Sequence, residues 1–157
     1  MGLNFRRLII GTNENNILDR TIKTGEHAIK DVVSTSSPSI DIQISSNFER
    51  LIYDACKDSN VVSDLMENLK NKGSYKLSNE MREYIGTYFS SDTANKKEVE
   101  EIILSYFKKY NITLDPHTAV GVMCGKKQKL SEDILVTLST AHPAKFKETV
   151  SEIISDN

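Results

Sequence analysis

The sequence has few of the residues that mark disulfide-rich, metal-binding or membrane proteins. It contains no tryptophan, three prolines, three histidines and two cysteines in 157 residues. Cys56 and Cys124 lie far apart and in no paired motif, which favours reduced thiols in a cytoplasmic protein. Because no cysteine or histidine cluster occurs, a metal site is not expected. No apolar run approaches the ~18 residues that a membrane-spanning helix needs, so no membrane association is expected.

Neither sign of charge is in large excess. The chain has 20 basic and 22 acidic side chains and a formal net charge of −2. Binding to a phosphate backbone needs a basic surplus, so we do not expect nucleic acid as the main partner. The length corresponds to about one domain. The 38% hydrophobic content is that of an ordinary globular protein.

Apolar periodicity and capping signals predict a helix-rich chain. Helices are predicted at residues 14–25, 46–58, 59–73, 79–89, 95–111, 116–127 and 143–154. Gly25 and Gly73 are expected to end helices, Ser46 or Asn47 to begin one, and Asp115 to cap the helix that opens at Pro116. Residues 5–13 and 134–140 have strand composition, and residues 32–46 are expected to be extended and bent at Pro38.

These elements indicate the α/β class, with two or three strands and many helices. Two or three strands do not make a well-covered sheet around one core. We therefore expect that more of the sheet lies elsewhere.

Four short polar stretches lie at strand ends or helix starts: GTNEN (residues 11–15), STSSPS (34–39), DPHT (115–118) and STAHP (139–143). Ligands of open α/β sheets bind beyond the carboxyl ends of strands, and the free N–H groups of a helix start favour anions. Together the stretches predict a neutral polar pocket for a phosphorylated ligand. The alternative is that these residues, His117 and His142 included, only form turns, caps and core contacts.

Familiar catalytic motifs are not found in the sequence. It has no glycine-rich phosphate loop and no nucleophile elbow or Ser-His-Asp order. From the pattern alone, the interpretation ends at an α/β polypeptide with polar strand ends.

Four segments carry a more specific signal, because they resemble the threonine synthase family in the family's own order. They are MGLNFRRLIIGTNENNIL, TSSPSIDIQISSNFERLIYD, LDPHTAVGV and VTLSTAHPAKF. The resemblance covers nearly the whole chain, with a helix-rich variable segment at about residues 57–110. It implies that residues 1–157 form the carboxy-terminal part of a tryptophan-synthase-β-like enzyme of fold type II. That fold uses pyridoxal 5'-phosphate.

The resemblance also implies an activity and a set of site residues. Threonine synthases convert O-phospho-L-homoserine and water to L-threonine and phosphate. In this fold a neutral hydroxyl after a late strand faces the pyridine nitrogen of the cofactor. Thr140 fits that role, with Ser139 as the second choice. The candidates for the substrate pocket are Asn13, Ser37, Asn47, His117, Thr118 and His142.

Two parts of the family pattern do not occur in this sequence. Family members carry a lysine that forms a Schiff base with the cofactor, in an FKD-like segment, and a Gly-Asn-Phe-Gly-type loop that binds the cofactor phosphate. No lysine here lies in a matching context, so the sequence resembles only the carboxy-terminal portion. We therefore predict that this chain alone is inactive, because the nucleophilic lysine is absent.

Three interpretations remain open at this stage. The first is a truncated or split threonine synthase, completed by a separate amino-terminal polypeptide, or else the remnant of a decaying gene. The second is a non-catalytic helical binding module built on residues 47–110. The third is a small independent enzyme with Cys124 as the nucleophile near His117.

Overall fold

A computed structural model describes residues 5–155 of the chain. Residues 1–4 and 156–157, which the predicted unit of residues 1–157 includes, lie outside the described residues. The described part contains seven α-helices and four short strands. In chain order they are β1 (Leu8–Thr12), α1 (Ile17–Thr24), β2 (Glu26–Ala28), α2 (Phe48–Cys56), α3 (Ser59–Lys72), β3 (Ser74–Lys76), α4 (Asn79–Tyr88), β4 (Phe89–Thr93), α5 (Lys96–Tyr110), α6 (Pro116–Gln128) and α7 (Lys147–Ser155).

The predicted helix limits are largely confirmed, and their physical causes are visible. Gly25 and Gly73 take left-handed φ values of 81° and 71° at the carboxyl ends of α1 and α3, a conformation that costs glycine nothing. Asp115 caps α6, and Pro116 occupies the first turn. The predicted last helix differs, because residues Pro143–Phe146 form a 3₁₀ turn before α7 begins.

The strands form two separate pairs. β1 runs parallel to β4, with Leu8 opposite Phe89 and Thr12 opposite Thr93. β2 and β3 are antiparallel, with His27 opposite Tyr75. The sequence prediction missed β2, β3 and β4, because three-residue strands carry no readable period and β4 has the polar sequence FSSDT. The helix-rich segment 57–110 thus contributes the strand that pairs with β1.

Residues 134–140 do not form the predicted strand. The segment is extended but has no strand partner in the described part of the chain, so the backbone lacks the ladder that defines a strand. Leu135 and Thr137 pack against helix α6, where a methyl group added at Gly125 would lie 2.7 Å from the Leu135 side chain. Alternate residues face outward: Ile134, Val136 and Leu138 are 92%, 72% and 80% exposed.

Two apolar cores hold the elements together. The first joins α5 and α6, with Ile103, Ala119 and Cys124 fully buried. The second joins α2, α3 and α4 around Ile52 and Ile85. The predicted extended stretch 32–46 is irregular chain with one 3₁₀ turn at Pro38–Ile40, and Ile40 packs against the first core. No helix among residues 5–155 is long and apolar enough to cross a lipid bilayer.

Candidate functional site

The chain after β1 is bound to the hydroxyl-rich loop by one buried hydrogen-bond network. The Asn13 amide donates to Thr35 Oγ1 at 2.8 Å, to Ser37 Oγ at 2.9 Å and to Asp41 Oδ1 at 2.6 Å. Asn15 donates to the same carboxylate oxygen at 2.9 Å. Asn13 and Ser37 are each 1% exposed. The Asn13 amide hydrogens are therefore used inside the chain, where Ser37 accepts one of them, and these bonds fix the loop.

Asp41 is the residue of this network that the sequence analysis missed. Its carboxylate accepts from Asn13, Asn15, the Thr35 hydroxyl at 2.6 Å and the Thr35 amide at 2.8 Å. A signal was present, because Asp41 is the one acidic residue among the neutral residues 32–48. A lone carboxylate in a hydroxyl-rich loop is an acceptor for several nearby donors.

The same loop contacts the start of α6 through His117. The Ser39 amide donates to His117 Nε2 at 3.1 Å, so Nδ1 carries the ring proton and donates to Asp115 Oδ1 at 3.0 Å. The ring packs against Phe146 with centroids 4.7 Å apart. Both nitrogens of His117 are thus engaged within the chain, which is the structural alternative that the sequence left open.

The start of α6 does not offer the free N–H groups that the sequence predicted for an anion. The amides of His117 and Thr118 donate to Asp115 Oδ1 at 3.0 Å and 3.3 Å. A carboxylate of the chain itself therefore occupies this helix start, and it repels a second anion there.

Thr118 binds the segment that contains Thr140. The Thr118 hydroxyl donates to Asp115 Oδ2, and its oxygen accepts the Thr140 amide at 3.1 Å. The Thr140 hydroxyl lies 3.5 Å from Thr118 Oγ1. This contact completes a chain of hydrogen bonds through all four polar stretches, so the structure brings together the segments that the sequence singled out.

The remaining predicted residues differ in their placement. Ser139, Thr140 and His142 are exposed, and His142 Nδ1 accepts the Ala144 amide at 3.2 Å, which caps the 3₁₀ turn. Asn47 lies at the start of α2, where its side chain accepts from Arg50. No hydrogen bond in the described part of the chain joins Asn47 to the other candidates.

Cys124 does not fit the role of a nucleophile. Its side chain is fully buried and packs next to Gly11. Burial is the main cause that raises the pKa of the thiol to about 11, so almost no thiolate forms near neutral pH. His117 offers it no free ring nitrogen. Among residues 5–155 no cluster of three metal-ligating side chains occurs either.

Comparisons with known proteins match this arrangement to one family. The family described as "Threonine synthase, C-terminal" matches residues 118–157. Threonine synthase of Saccharomyces cerevisiae is 37% identical, over 99% of this chain and 34% of its own length. That of Pseudomonas aeruginosa is 36% identical, over 97% of this chain and 33% of its own length.

A solved structure extends the match to three dimensions. The structure described as PLP-bound threonine synthase from Brucella melitensis superimposes with a TM-score of 0.92 at 41% identity, over 98% of this chain and 33% of that one. The chain therefore has the architecture of the tryptophan-synthase-β-like, fold type II class. Within that class it is similar to the threonine synthases, and it spans about a third of the length of these relatives, at their carboxy-terminal end.

Proposed function

We propose that this chain supplies the carboxy-terminal, pyridine-facing part of a pyridoxal-phosphate-dependent threonine synthase. The complete enzyme converts O-phospho-L-homoserine and water to L-threonine and phosphate, as a carbon–oxygen lyase. One observation carries the proposal: Thr118 holds the Thr140 amide where the four polar segments meet, and the Thr140 hydroxyl is exposed there. A cytoplasmic location fits the two unpaired cysteines.

The residues present suit a pyridine nitrogen. The Thr140 hydroxyl can donate a hydrogen bond to an unprotonated ring nitrogen, whereas a carboxylate would favour protonation of that nitrogen. Thr118 lies between Thr140 and the Asp115 carboxylate in this chain of hydrogen bonds. When bound, the cofactor supplies an electron sink, and the hydroxyl tunes it. Ser139 is exposed and stays the second candidate for this contact.

The remaining predicted residues take two kinds of role in this proposal. Asn13 and Ser37, through Asp41, hold the loop that closes one side of the site. His142 begins the turn that follows Thr140 and shapes the pocket beside it. Asn47 stays a candidate for the substrate phosphate by chemistry only, whereas Ser37 is buried in the network.

An amino-terminal threonine synthase polypeptide is the partner that completes the enzyme in this proposal. It would supply the Schiff-base lysine and the phosphate-binding loop, for which this sequence has no match. The unpaired edge at residues 134–138 supports the proposal, because its exposed side chains Ile134, Val136 and Leu138 are apolar. Exposed apolar patches of this kind mark protein contacts, and backbone groups without a strand partner are available as donors and acceptors.

A combined protein tests the role of Thr140. We define the combined protein as this chain together with the amino-terminal portion of the Brucella melitensis threonine synthase that precedes the matched third. Thr140→Val should lower phosphate release from phosphohomoserine by about 100-fold, the lower end of the range found when one positioned donor is removed, and should shift the cofactor absorbance. Thr140→Ser, which keeps the hydroxyl, is the matched control. Equal loss in both variants would contradict the proposed contact.

A helical binding module gains no specific support from the structure. Its helices α2, α3 and α4 bury their apolar faces against one another in the second core. Such a module would also have no need of the network that joins residues 11–15, 34–41, 115–118 and 139–143.

A further inference from the structure

Asp115 sits at the centre of four hydrogen bonds in the site. Its side chain is 1% exposed. Oδ1 accepts the His117 amide, the His117 Nδ1–H and the Thr118 amide at 3.0, 3.0 and 3.3 Å. Oδ2 accepts the Thr118 hydroxyl. Capping α6 needs only Oδ1, so the contact of Oδ2 with Thr118 requires a different explanation.

The Oδ2 contact fixes the direction of the next hydrogen bond. A hydroxyl has one hydrogen, and that of Thr118 is given to Asp115. Thr118 Oγ1 can therefore only accept from Thr140, whose amide nitrogen lies 3.1 Å away. The Thr140 hydroxyl, at 3.5 Å, is beyond the usual range for an O–H···O bond. Its hydrogen stays available for a better acceptor outside the chain.

The contact with Thr118 matters because little else holds this part of the backbone. Residues 134–140 belong to no strand or helix. In the described part of the chain, the Thr140 amide is the one backbone N–H of this segment that a hydrogen bond holds. Leu135 and Thr137 fix the preceding residues by packing against Gly125 and Gly121.

We propose that Asp115 is a positioning residue for Thr140 and acts through the hydroxyl of Thr118. The carboxylate orients the Thr118 hydroxyl, the Thr118 oxygen holds the Thr140 amide, and the Thr140 hydroxyl is left as a donor that faces outward. The catalytic value of this relay rests on the proposed function. The relay itself is a property of this chain and is measured separately.

Asparagine at position 115 separates the relay from helix capping. Asparagine is as good an N-cap as aspartate, so Asp115→Asn keeps the Oδ1 contacts and the helix. Its NH₂ group replaces Oδ2, however, and donates where the carboxylate accepted. Thr118 then accepts from the new amide, and its own hydrogen loses the acceptor that fixed the direction of the hydroxyl, so the lone pair that holds the Thr140 amide is no longer held in place.

Amide hydrogen exchange of the full chain, followed by NMR, tests the relay without cofactor. Thr118→Val and Asp115→Asn should each speed exchange at the Thr140 amide by about fivefold or more, the factor that corresponds to one net hydrogen bond. Thr118→Ser should leave it unchanged. In Asp115→Asn, amide exchange in the middle of α6 should be the same as in the unsubstituted chain. Unchanged exchange at Thr140 in Asp115→Asn and Thr118→Val overturns the relay, whatever the activity.

Kinetics of the combined protein then test the positioning role. Asp115 touches neither substrate nor cofactor in the proposal, so Asp115→Asn should lower kcat by about tenfold and leave KM for phosphohomoserine nearly unchanged. An unchanged kcat in a variant with faster Thr140 exchange would overturn the positioning role. Failure of the proposed function is read from a different result, namely equal phosphate release by Thr140→Val and the unsubstituted protein.

Discussion

At the scale of single residues, Gly25 holds a backbone position that other residues take only under strain. Its φ is 81°, and a Cβ there would lie 2.5 Å from the Arg82 side chain. We expect Gly25→Ala to lower the free energy of unfolding by about 1–2 kcal/mol. Gly86, with no neighbour within 4 Å on helix α4, is the control. Gly86→Ala should be neutral or stabilising by up to about 1 kcal/mol. Urea denaturation of both variants checks this, and equal effects would contradict it.

His27 should make the stability of the chain depend on pH. It is buried, stacks on Tyr75 at 4.6 Å and contacts Thr21 Oγ1 at 3.0 Å. Burial, aided by the charge of Arg20, lowers the pKa of His27 from 6.5 to about 4. Between these values the unfolded imidazole binds a proton and the folded one does not, so stability is full above pH 6.5 and is lost as the pH falls toward 4.

The size of this effect is set by the pKa difference. At about 1.4 kcal/mol per pKa unit, and allowing for solvent screening, we expect a loss of roughly 2 kcal/mol. The measurement is the free energy of unfolding from pH 7 to 4 in the unsubstituted chain and in His27→Phe. This variant keeps an aromatic ring to stack on Tyr75 but cannot bind a proton. The same pH slope in both proteins would refute the assignment.

Residue roles were predictable from the sequence only where they depend on neighbours in the chain. The cap at Asp115 follows from the spacing Asp-Pro-His-Thr, and the glycine ends of α1 and α3 follow from position. The contacts of Asp41 with Asn13, and of Thr118 with Thr140, join residues 28 and 22 positions apart. Spacing carries no information about such contacts.

At the scale of elements, helix α5 owes part of its stability to a capping box. Asn95 Oδ1 accepts the Glu98 amide at 3.0 Å, and Glu98 accepts the Asn95 amide at 2.9 Å. Asn95→Ala should therefore lower the free energy of unfolding by about 1 kcal/mol. Asn47 holds the corresponding position at α2 but makes no cap hydrogen bond. Asn47→Ala should change stability by less than about 0.5 kcal/mol, and thermal unfolding that ranked the two variants in reverse would contradict this.

The elements also show which sequence signals were sufficient. Long helices with caps, such as α3 and α5, were predicted nearly to the residue, because periodicity and caps agree. Residues 134–140 have strand composition, yet composition does not provide a partner strand. Residues Phe89–Thr93 show the reverse case. Their polar composition does not predict a strand, yet they form β4 because they pair with β1.

At the scale of the whole molecule, the apolar edge at residues 134–138 should serve assembly rather than the stability of this chain. We expect the triple variant Ile134→Ser, Val136→Ser and Leu138→Ser to unfold within about 1 kcal/mol of the unsubstituted chain, because exposed side chains lose little on replacement. The same variant should lose association with the amino-terminal portion of the Brucella melitensis enzyme. Analytical ultracentrifugation measures the association of the two polypeptides. Undiminished association of the triple variant would contradict the role of this edge.

Exposed charged residues on helix α5 provide the control for that variant. Lys97 and Glu101, on helix α5, form an exposed ion pair, which contributes little to stability. Lys97→Ser with Glu101→Ser should leave both unfolding and association unchanged. A loss of association in this control would show that the assembly depends on charge and not on the apolar edge.

The central proposal is that this chain forms the carboxy-terminal part of a threonine synthase and that its sequence does not supply the lysine that the chemistry needs. The most direct test is phosphate release from O-phospho-L-homoserine in the presence of pyridoxal phosphate, by the chain alone and by the combined protein. We predict release by the combined protein and none by the chain alone. Release by the chain alone would contradict the account of the lysine, and no release by a well-assembled combined protein would contradict the proposed function.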